Sequence, residues 1–268
     1  MTEARTPSTR PHGQVVPAGR AIPLPLLVLA VSALWGSNFV AVKAALEHSS
    51  PLLLACLRTA VAGVAMGGVA WALGARVPTD RRRLGAIAWI ALHMTTLSTG
   101  FLVAGVDLIP AGVASILINT MPLFMVLLAR PMLGERPTQR SLAGLAAGFA
   151  GVVVIAVPAA RGGGHPLGMA FILLAALTWA SGSILYKRAD LADVHPAMII
   201  SVQLLLSSLG LGAANILVEG LEGPQLELGF FVALGWTSLG GLALAFLAWG
   251  EVLKRASALA ASAGRWVA

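Results

Sequence analysis

An all-α, polytopic membrane fold is predicted by three features of this 268-residue sequence. The first is composition. Hydrophobic residues make up 57% and charged residues 11%, against about 25% charged in a soluble domain, and mean hydropathy is +0.86. A soluble globule must cover its surface with polar groups, and this chain has less than half the usual charge for it. The second is a series of eight apolar runs of membrane-crossing length, and the third is the sorting of basic residues between them. A cytosolic enzyme and a disordered chain are excluded. So is a disulfide-stapled secreted domain, because Cys56 is the sole cysteine.

Residues 1–22 are rich in Arg, Pro and Thr without an apolar period, and read as a disordered cytoplasmic tail. The run 24–42 exceeds a signal-peptide core in length and leads into Lys43 with no convincing cleavage site. It is therefore a retained span. Runs 51–73, 84–105, 110–132, 142–158, 168–186, 197–218 and 229–253 follow. Each can cross a hydrocarbon core of about 30 Å as a helix, which satisfies every backbone amide within itself. Turn residues fill the joints, as in Val77-Pro78-Thr79-Asp80 and Gly162-Gly163-Gly164-His165-Pro166. The apolar stretch 256–263 is too short for a ninth span.

Charge sorting predicts the orientation. With a cytoplasmic N-terminus, the inside segments hold Arg5, Arg10, Arg20, Arg76, Arg81, Arg82, Arg83, Arg130, Arg136, Arg140, Lys187, Arg188, Lys254, Arg255 and Arg265, which is 15 of the 18 basic residues. Outside there are only Lys43 and Arg161, and Arg58 lies within a span. Acidic residues divide evenly, as expected of a rule that reads Lys and Arg rather than net charge. The net charge of +7 and pI of 11.0 are thereby explained by topology, and nucleic acid is not an expected partner.

An internal repeat runs through the chain. Trp35 to Lys43 at the end of the first span matches Trp179 to Lys187 at the end of the sixth, at an offset of 144. Pro51 and Pro196 open the second and seventh spans at an offset of 145, and each is followed seven residues on by a polar side chain, Arg58 and Gln203. Phe101-Leu102-Val103-Ala104-Gly105 matches Phe246-Leu247-Ala248-Trp249-Gly250 at 145 again. The repeat unit holds five spans, an odd number, so the second copy inserts upside down. Such inverted repeats build secondary transporters with a midplane substrate site between the halves. The expected organisation is a tail over 1–22, a first five-helix unit over 23–160, and a second over 165–268 with three helices and a fragment. Carried forward, the fourth span predicts a ninth from about residue 255, but the pattern is lost by Gly264-Arg265-Trp266-Val267. The expectation is a truncated or frame-shifted product of a ten-span ancestor, with a complete eight-span protein as the alternative.

Leu34-Trp35-Gly36-Ser37-Asn38-Phe39 running to Lys43, Arg58 after a Pro-opened second span, Pro110-Ala111-Gly112-Val113-Ala114-Ser115, Pro122, and Leu133-Gly134-Glu135-Arg136 together resemble the EamA-type branch of the drug/metabolite transporter superfamily. The resemblance covers about residues 24–260. It implies a ten-helix inverted-repeat carrier of the bacterial inner membrane that exports amino acids or related small metabolites by alternating access. The chain departs from that pattern where the ninth and tenth helices should lie.

Polar groups inside a span are unfavourable and therefore informative. Trp35 and Asn38 are three apart on one helical face and offer an aromatic wall and an amide. The alternatives are an interfacial Trp and an Asn bonded to a neighbouring helix. Lys43 ends the same span, and its repeat partner contributes Trp179 and Ser183. Arg58 is either a carboxylate anchor or a side chain snorkelling to headgroups. His93 with Thr95, Thr96, Ser98 and Thr99 makes the third span the most hydrophilic, as for a helix lining a cavity. Asn119 lies mid-span, where Pro122 removes a hydrogen bond to the Ile118 carbonyl. The candidate cavity-lining set is Trp35, Asn38, Lys43, Arg58, His93, Asn119, Trp179, Ser183 and Gln203. Ser32 with Gly36, Gly63 with Gly67, and Gly144 with Gly148 are small-residue pairs for helix packing.

No Asp or Glu lies mid-span, which disfavours proton-coupled export of lipophilic cations, and His93, the one histidine within a span, is the sole candidate proton carrier. There is no Gly-x-x-x-x-Gly-Lys-Ser/Thr loop for ATP. No metal and no cofactor is expected, the remaining His residues lying in the tail or loops. The alternative to a carrier is a non-transporting truncated remnant; a membrane-embedded enzyme is less favoured, because Ser98 and His93 are five apart and no Gly-x-Ser-x-Gly occurs. The expected partners are a small-molecule substrate and the lipid bilayer, and a homodimer is possible.

Overall fold

The computed structural model describes residues 22–134, 139–161 and 165–252. The expectations for residues 1–21, the loop at 135–138, the glycine turn at 162–164 and the chain beyond 252 lie outside the described residues. Among the described residues all regular structure is helical, and the protein is a polytopic all-α membrane protein. We number its helices α1 (Leu24–Leu46), α2 (Pro51–Ala72), α3 (Arg81–Leu108), α4 (Ala111–Leu117, Ile118–Thr120 and Met121–Leu133), α5 (Gln139–Arg161), α6 (Pro166–Arg188), α7 (Pro196–Val218) and α8 (Leu228–Val252). Seven of them are long and apolar enough to cross a membrane, and α5 carries a shorter apolar stretch, Leu142–Val154. They stand at the positions of the eight runs read from the sequence.

Local chemistry sets the boundaries. Pro51, Pro166 and Pro196 open α2, α6 and α7, where the missing N–H would have had no helical partner anyway. The next two amides of α2, on Leu52 and Leu53, donate to the Glu219 carboxylate at 3.0 and 3.3 Å. An acid just past the end of α7 thus caps the start of α2. Asp80 caps α3 by accepting from the Arg82 amide at 3.0 Å, and Gly134 ends α4 at φ 72°, a left-handed position that suits glycine.

Three helices are irregular inside the span. In α4, Ile118–Thr120 is 3₁₀, and the Met121 N–H bonds the Ile118 carbonyl. The acceptor that Pro122 was expected to leave open is therefore taken, because the tighter turn lets the residue before the proline reach it. α3 widens to a π-helix over Ala91–Leu97 and α8 does so over Trp236–Leu244. These two segments begin 145 residues apart.

Interhelical contacts fix the directions. α2 runs antiparallel to α7, with Ser201 Oγ donating to the Gly63 carbonyl at 2.8 Å and Cys56 Sγ to that of Ser208 at 3.2 Å. A methyl added to Gly63 would press on Leu205, and one on Gly67 on Ser201, so this small-residue pair packs. Gly148 packs likewise against Leu123, while Gly36 and Gly144 face open space. α3 runs antiparallel to α6, close enough that a Cβ on Gly105 would lie 2.9 Å from the Gly168 carbonyl oxygen. Arg83 pairs with Asp193 at 3.2 Å and Arg188 donates to the Met132 carbonyl at 2.8 Å. One end of the bundle, the basic end, therefore gathers Arg81, Arg82, Arg83, Arg130, Lys187 and Arg188. At the opposite end Lys43 Nζ donates to the Val106 and Asp107 carbonyls at 2.9 and 2.6 Å.

Two apolar cores fill the bundle. One, with Val42, Leu54, Val103, Ile172 and Phe230, lies toward the Lys43 end. The other, with Met66, Ile87, Ile90, Ile199 and Leu204, lies toward the basic end. Between them runs a band of buried polar side chains that includes Asn38, Arg58, Thr59, Thr95, Gln203, Ser207 and Thr237.

Candidate functional site

Polar groups withdrawn from lipid must find partners or be held at a penalty, so the polar band is where function is sought. Its charged member is Arg58, 2% exposed on α2. Its Nη2 donates to Asn38 Oδ1 of α1 at 3.2 Å and to the Thr237 carbonyl in the π-segment of α8 at 3.4 Å. Thr237 Oγ1 donates to the same Asn38 oxygen at 2.7 Å. Three helices therefore meet at one amide oxygen. Gly241, one turn further along α8, leaves room for Asn38, whose Oδ1 a Cβ there would overlap. Both ion pairs among the described residues lie elsewhere. The guanidinium is held by neutral oxygens only, and its Nε has no partner among the described residues.

The second cluster joins α3 to α6 and α7. His93 Nδ1 lies 2.9 Å from Ser181 Oγ. That hydroxyl donates to the Thr178 carbonyl at 2.8 Å, which leaves its lone pairs free and makes His93 Nδ1–H the donor. The polarity is the reverse of a nucleophile activated by a base. Ser98, five residues from His93, donates to the Ala175 carbonyl at 3.0 Å instead. Further along, Thr95 and Ser207 hydroxyls bond each other, Thr96 Oγ1 donates to Ser207 Oγ at 3.0 Å, and Thr95 Oγ1 approaches the carbonyl of Gln203.

The remaining candidates fall into two groups. Trp179 of α6 stacks on Phe246 with centroids 5.4 Å apart, and Trp35 of α1 packs on Trp249 at the same distance, so both tryptophans pack against α8. Ser183 bonds its own helix at the Trp179 carbonyl. Lys43 stands at the far end of α1, away from the Arg58 cluster. Asn119 is exposed, with Nδ2 donating to the Ser115 carbonyl at 2.6 Å, and joins neither cluster. Thr237 was not among the candidates, although it sits at the centre. A threonine in an apolar run carries no pattern of its own, and only the offset of 145 linking the polar third span to this stretch pointed toward it.

A groove of about 900 Å³ opens between α1 and α8, lined chiefly by Val40, Ala41, Phe231, Val232 and by Ser37 and Trp236. It is almost wholly apolar and does not contain Arg58. Among the described residues no group of three His, Cys, Asp or Glu could hold a metal ion.

Comparison with known proteins gives a consistent picture. The EamA-like transporter family matches residues 23–157. The chain is 28% identical over 251 residues to the uncharacterized inner membrane transporter YedA of Escherichia coli, covering 90% of this chain and 78% of that protein. It is 31% identical over 245 residues to the uncharacterized transporter YvbV of Bacillus subtilis, covering 87% and 77%. A protein of Salmonella typhimurium named as a probable amino-acid metabolite efflux pump is 30% identical over 241 residues, covering 85% and 77%. A solved crystal structure superposes with a TM-score of 0.61 at 23% identity, over 84% of this chain and 77% of the other. That likeness shows the shared fold.

Proposed function

The chain belongs to the EamA-like transporter family and is a multi-pass membrane transporter; from this premise we propose that it exports small zwitterionic or anionic metabolites, amino acids foremost, by alternating access. The observation that carries the reading is Arg58. A guanidinium buried among neutral oxygens, with no carboxylate beside it among the described residues, is the natural seat for a ligand carboxylate. Such a ligand would supply the missing counter-charge and could engage the fork of donors bidentately. A lipophilic cation would meet like charge there.

The same reading assigns the rest of the polar band. Asn38 and Thr237 hold Arg58 in place, His93, Gln203 and Ser183 extend the polar wall, and Trp35 and Trp179 close it on either side of α8. Lys43 would draw anions toward the end opposite the basic cluster, and Asn119 is the outlying member. The name of the Salmonella relative supports amino-acid metabolites as the class. The repeat-related positions of the polar side chains support two inverted halves, and the gathering of Arg and Lys at one end supports a cytoplasmic basic end.

The experiment is counterflow in proteoliposomes loaded with unlabelled amino acids. Labelled amino acid should accumulate, and quaternary ammonium should not. Accumulation of the cation alone would reject the assignment.

A further inference from the structure

Ser37 and Ser181 make the same pair of bonds at positions 144 residues apart. Ser37 Oγ donates to the Leu34 carbonyl, three residues back, at 3.2 Å and accepts from the Trp236 indole N–H at 3.1 Å. Ser181 Oγ donates to the Thr178 carbonyl, also three residues back, and accepts from His93 Nδ1–H at 2.9 Å. Each ring belongs to a π-segment, Trp236 opening the one in α8 and His93 lying in the one in α3. Each bond also crosses between the two parts of the chain, residue 37 to 236 and residue 93 to 181.

The two contacts differ in height. α1 and α6 run in opposite directions, because the end of α1 and the end of α3 meet at Lys43 and Val106 while α3 and α6 are antiparallel. Ser37 is nine residues from Leu46, about 13 Å below the Lys43 end at 1.5 Å per residue, and Ser181 is seven residues from Arg188, about 10 Å from the basic end. One bond thus lies on each side of the bundle's middle. Ser37 and Trp236 also line the groove between α1 and α8, so the first contact borders open space.

We propose that these two bonds are the paired latches of the transport cycle, Ser37–Trp236 fastening the Lys43 half of the bundle beside Asn38 and Thr237, and Ser181–His93 fastening the basic half. Both are made in this structure, which is then the occluded arrangement. The π-segments supply the movement. Converting one π-turn to α shifts the helix by a residue, about 100° of rotation and 1.5 Å of rise, which carries a ring off its serine. A ring N–H on a hydroxyl is worth about as much as one net hydrogen bond, so either latch opens at modest expense.

The inference rests on the transport reading, yet its test needs no substrate. The chain carrying Cys56→Ser is given a single reporter, Val42→Cys near the Lys43 end or Ile184→Cys near the basic end, both buried positions. Maleimide labelling is followed in lipid nanodiscs, which expose both faces. Trp236→Phe keeps the aromatic bulk and removes the N–H. It should raise labelling at Val42→Cys by about two- to tenfold, the range of one hydrogen bond, and leave Ile184→Cys unchanged. His93→Phe should do the reverse. Should a Phe variant fail to reach the membrane, Ser37→Ala and Ser181→Ala remove the acceptors and should give the same two readings. Labelling that rises at both reporters for one variant, or at neither, overturns the latches whatever the substrate proves to be.

Discussion

Asn38 Oδ1 lies 3.2 Å from Arg58 Nη2, and this contact between α1 and α2 is what the buried guanidinium has in place of a carboxylate. The same oxygen accepts from Thr237 at 2.7 Å. A neutral acceptor leaves the charge uncompensated, and that is a costly arrangement inside a bilayer unless something else completes it.

Supplying the charge from the protein should therefore close the site. Asn38→Asp places a carboxylate against Arg58, and the variant should keep a thermal midpoint at or above that of the parent while losing uptake of anionic substrates. Asn38→Ala removes the acceptor of two donors and should destabilise by about 1–3 kcal/mol. Thermal unfolding in detergent, with uptake measured beside it, separates the two effects. Improved uptake in Asn38→Asp would contradict the anchor role of Arg58.

Gly182 of α6 faces the backbone of Met94 in the π-segment of α3, and an added Cβ would lie 2.7 Å from the Met94 nitrogen. Backbone cannot swing aside as a side-chain tip can, so Gly182→Ala should destabilise by about 1–3 kcal/mol. Gly36→Ala has nothing within 4 Å and serves as the control, with an unchanged midpoint expected. Equal midpoints for the two variants would show that α3 and α6 do not approach this closely.

Much of the architecture was legible because lipid imposes a simple rule: long apolar runs become helices, and the prolines at 51 and 196 mark where two of them start, while Pro166, read as part of a turn, opens a third. Arg58, Asn38 and His93 stood out for a related reason, being polar where polarity is unfavourable. What could not be read was who meets whom. Thr237 and Ser181 look like ordinary hydroxyls in a span, and their roles come from helices brought together across 199 and 88 positions of sequence. The π-segments were also hidden, since neither Ala91–Leu97 nor Trp236–Leu244 contains a proline. Asn119 shows the converse, a polar residue in a span that bonds only its own helix.

Glu219 accepts from two amides in the first turn of α2, where a negative charge also complements the helix dipole. Glu219→Gln keeps one acceptor but loses the charge, and Glu219→Ala loses both. Destabilisation should rise in that order and reach about 0.5–2 kcal/mol for alanine, read as loss of protected amides at the start of α2 by hydrogen exchange. An unchanged exchange pattern in Glu219→Ala would remove the cap from the account.

A cytoplasmic basic end has a direct test. In a Cys56→Ser background, Arg81→Cys should react with impermeant maleimide in inside-out vesicles and resist it in intact cells. Reaction from outside in intact cells would invert the topology.

The substrate class can be decided at Arg58 by separating charge from shape. Arg58→Lys retains a cation but offers a point charge on a flexible stem, without the planar fork that meets a carboxylate with two parallel bonds. Arg58→Gln retains hydrogen bonding and drops the charge. If a ligand carboxylate is the partner, uptake of an amino acid should fall by about tenfold in Arg58→Lys, and by about 100-fold or more in Arg58→Gln, as expected for losing a charge-assisted pair of bonds. The corresponding amine, which lacks the carboxylate, should be a poor substrate of the parent and should not be affected further in either variant. The two substrates share a side chain, so their ratio cancels changes in expression and folding, which would lower both together. Uptake of amine and amino acid falling in parallel across the two variants would assign Arg58 to holding α1, α2 and α8 together, and the anionic substrate class would fall with it.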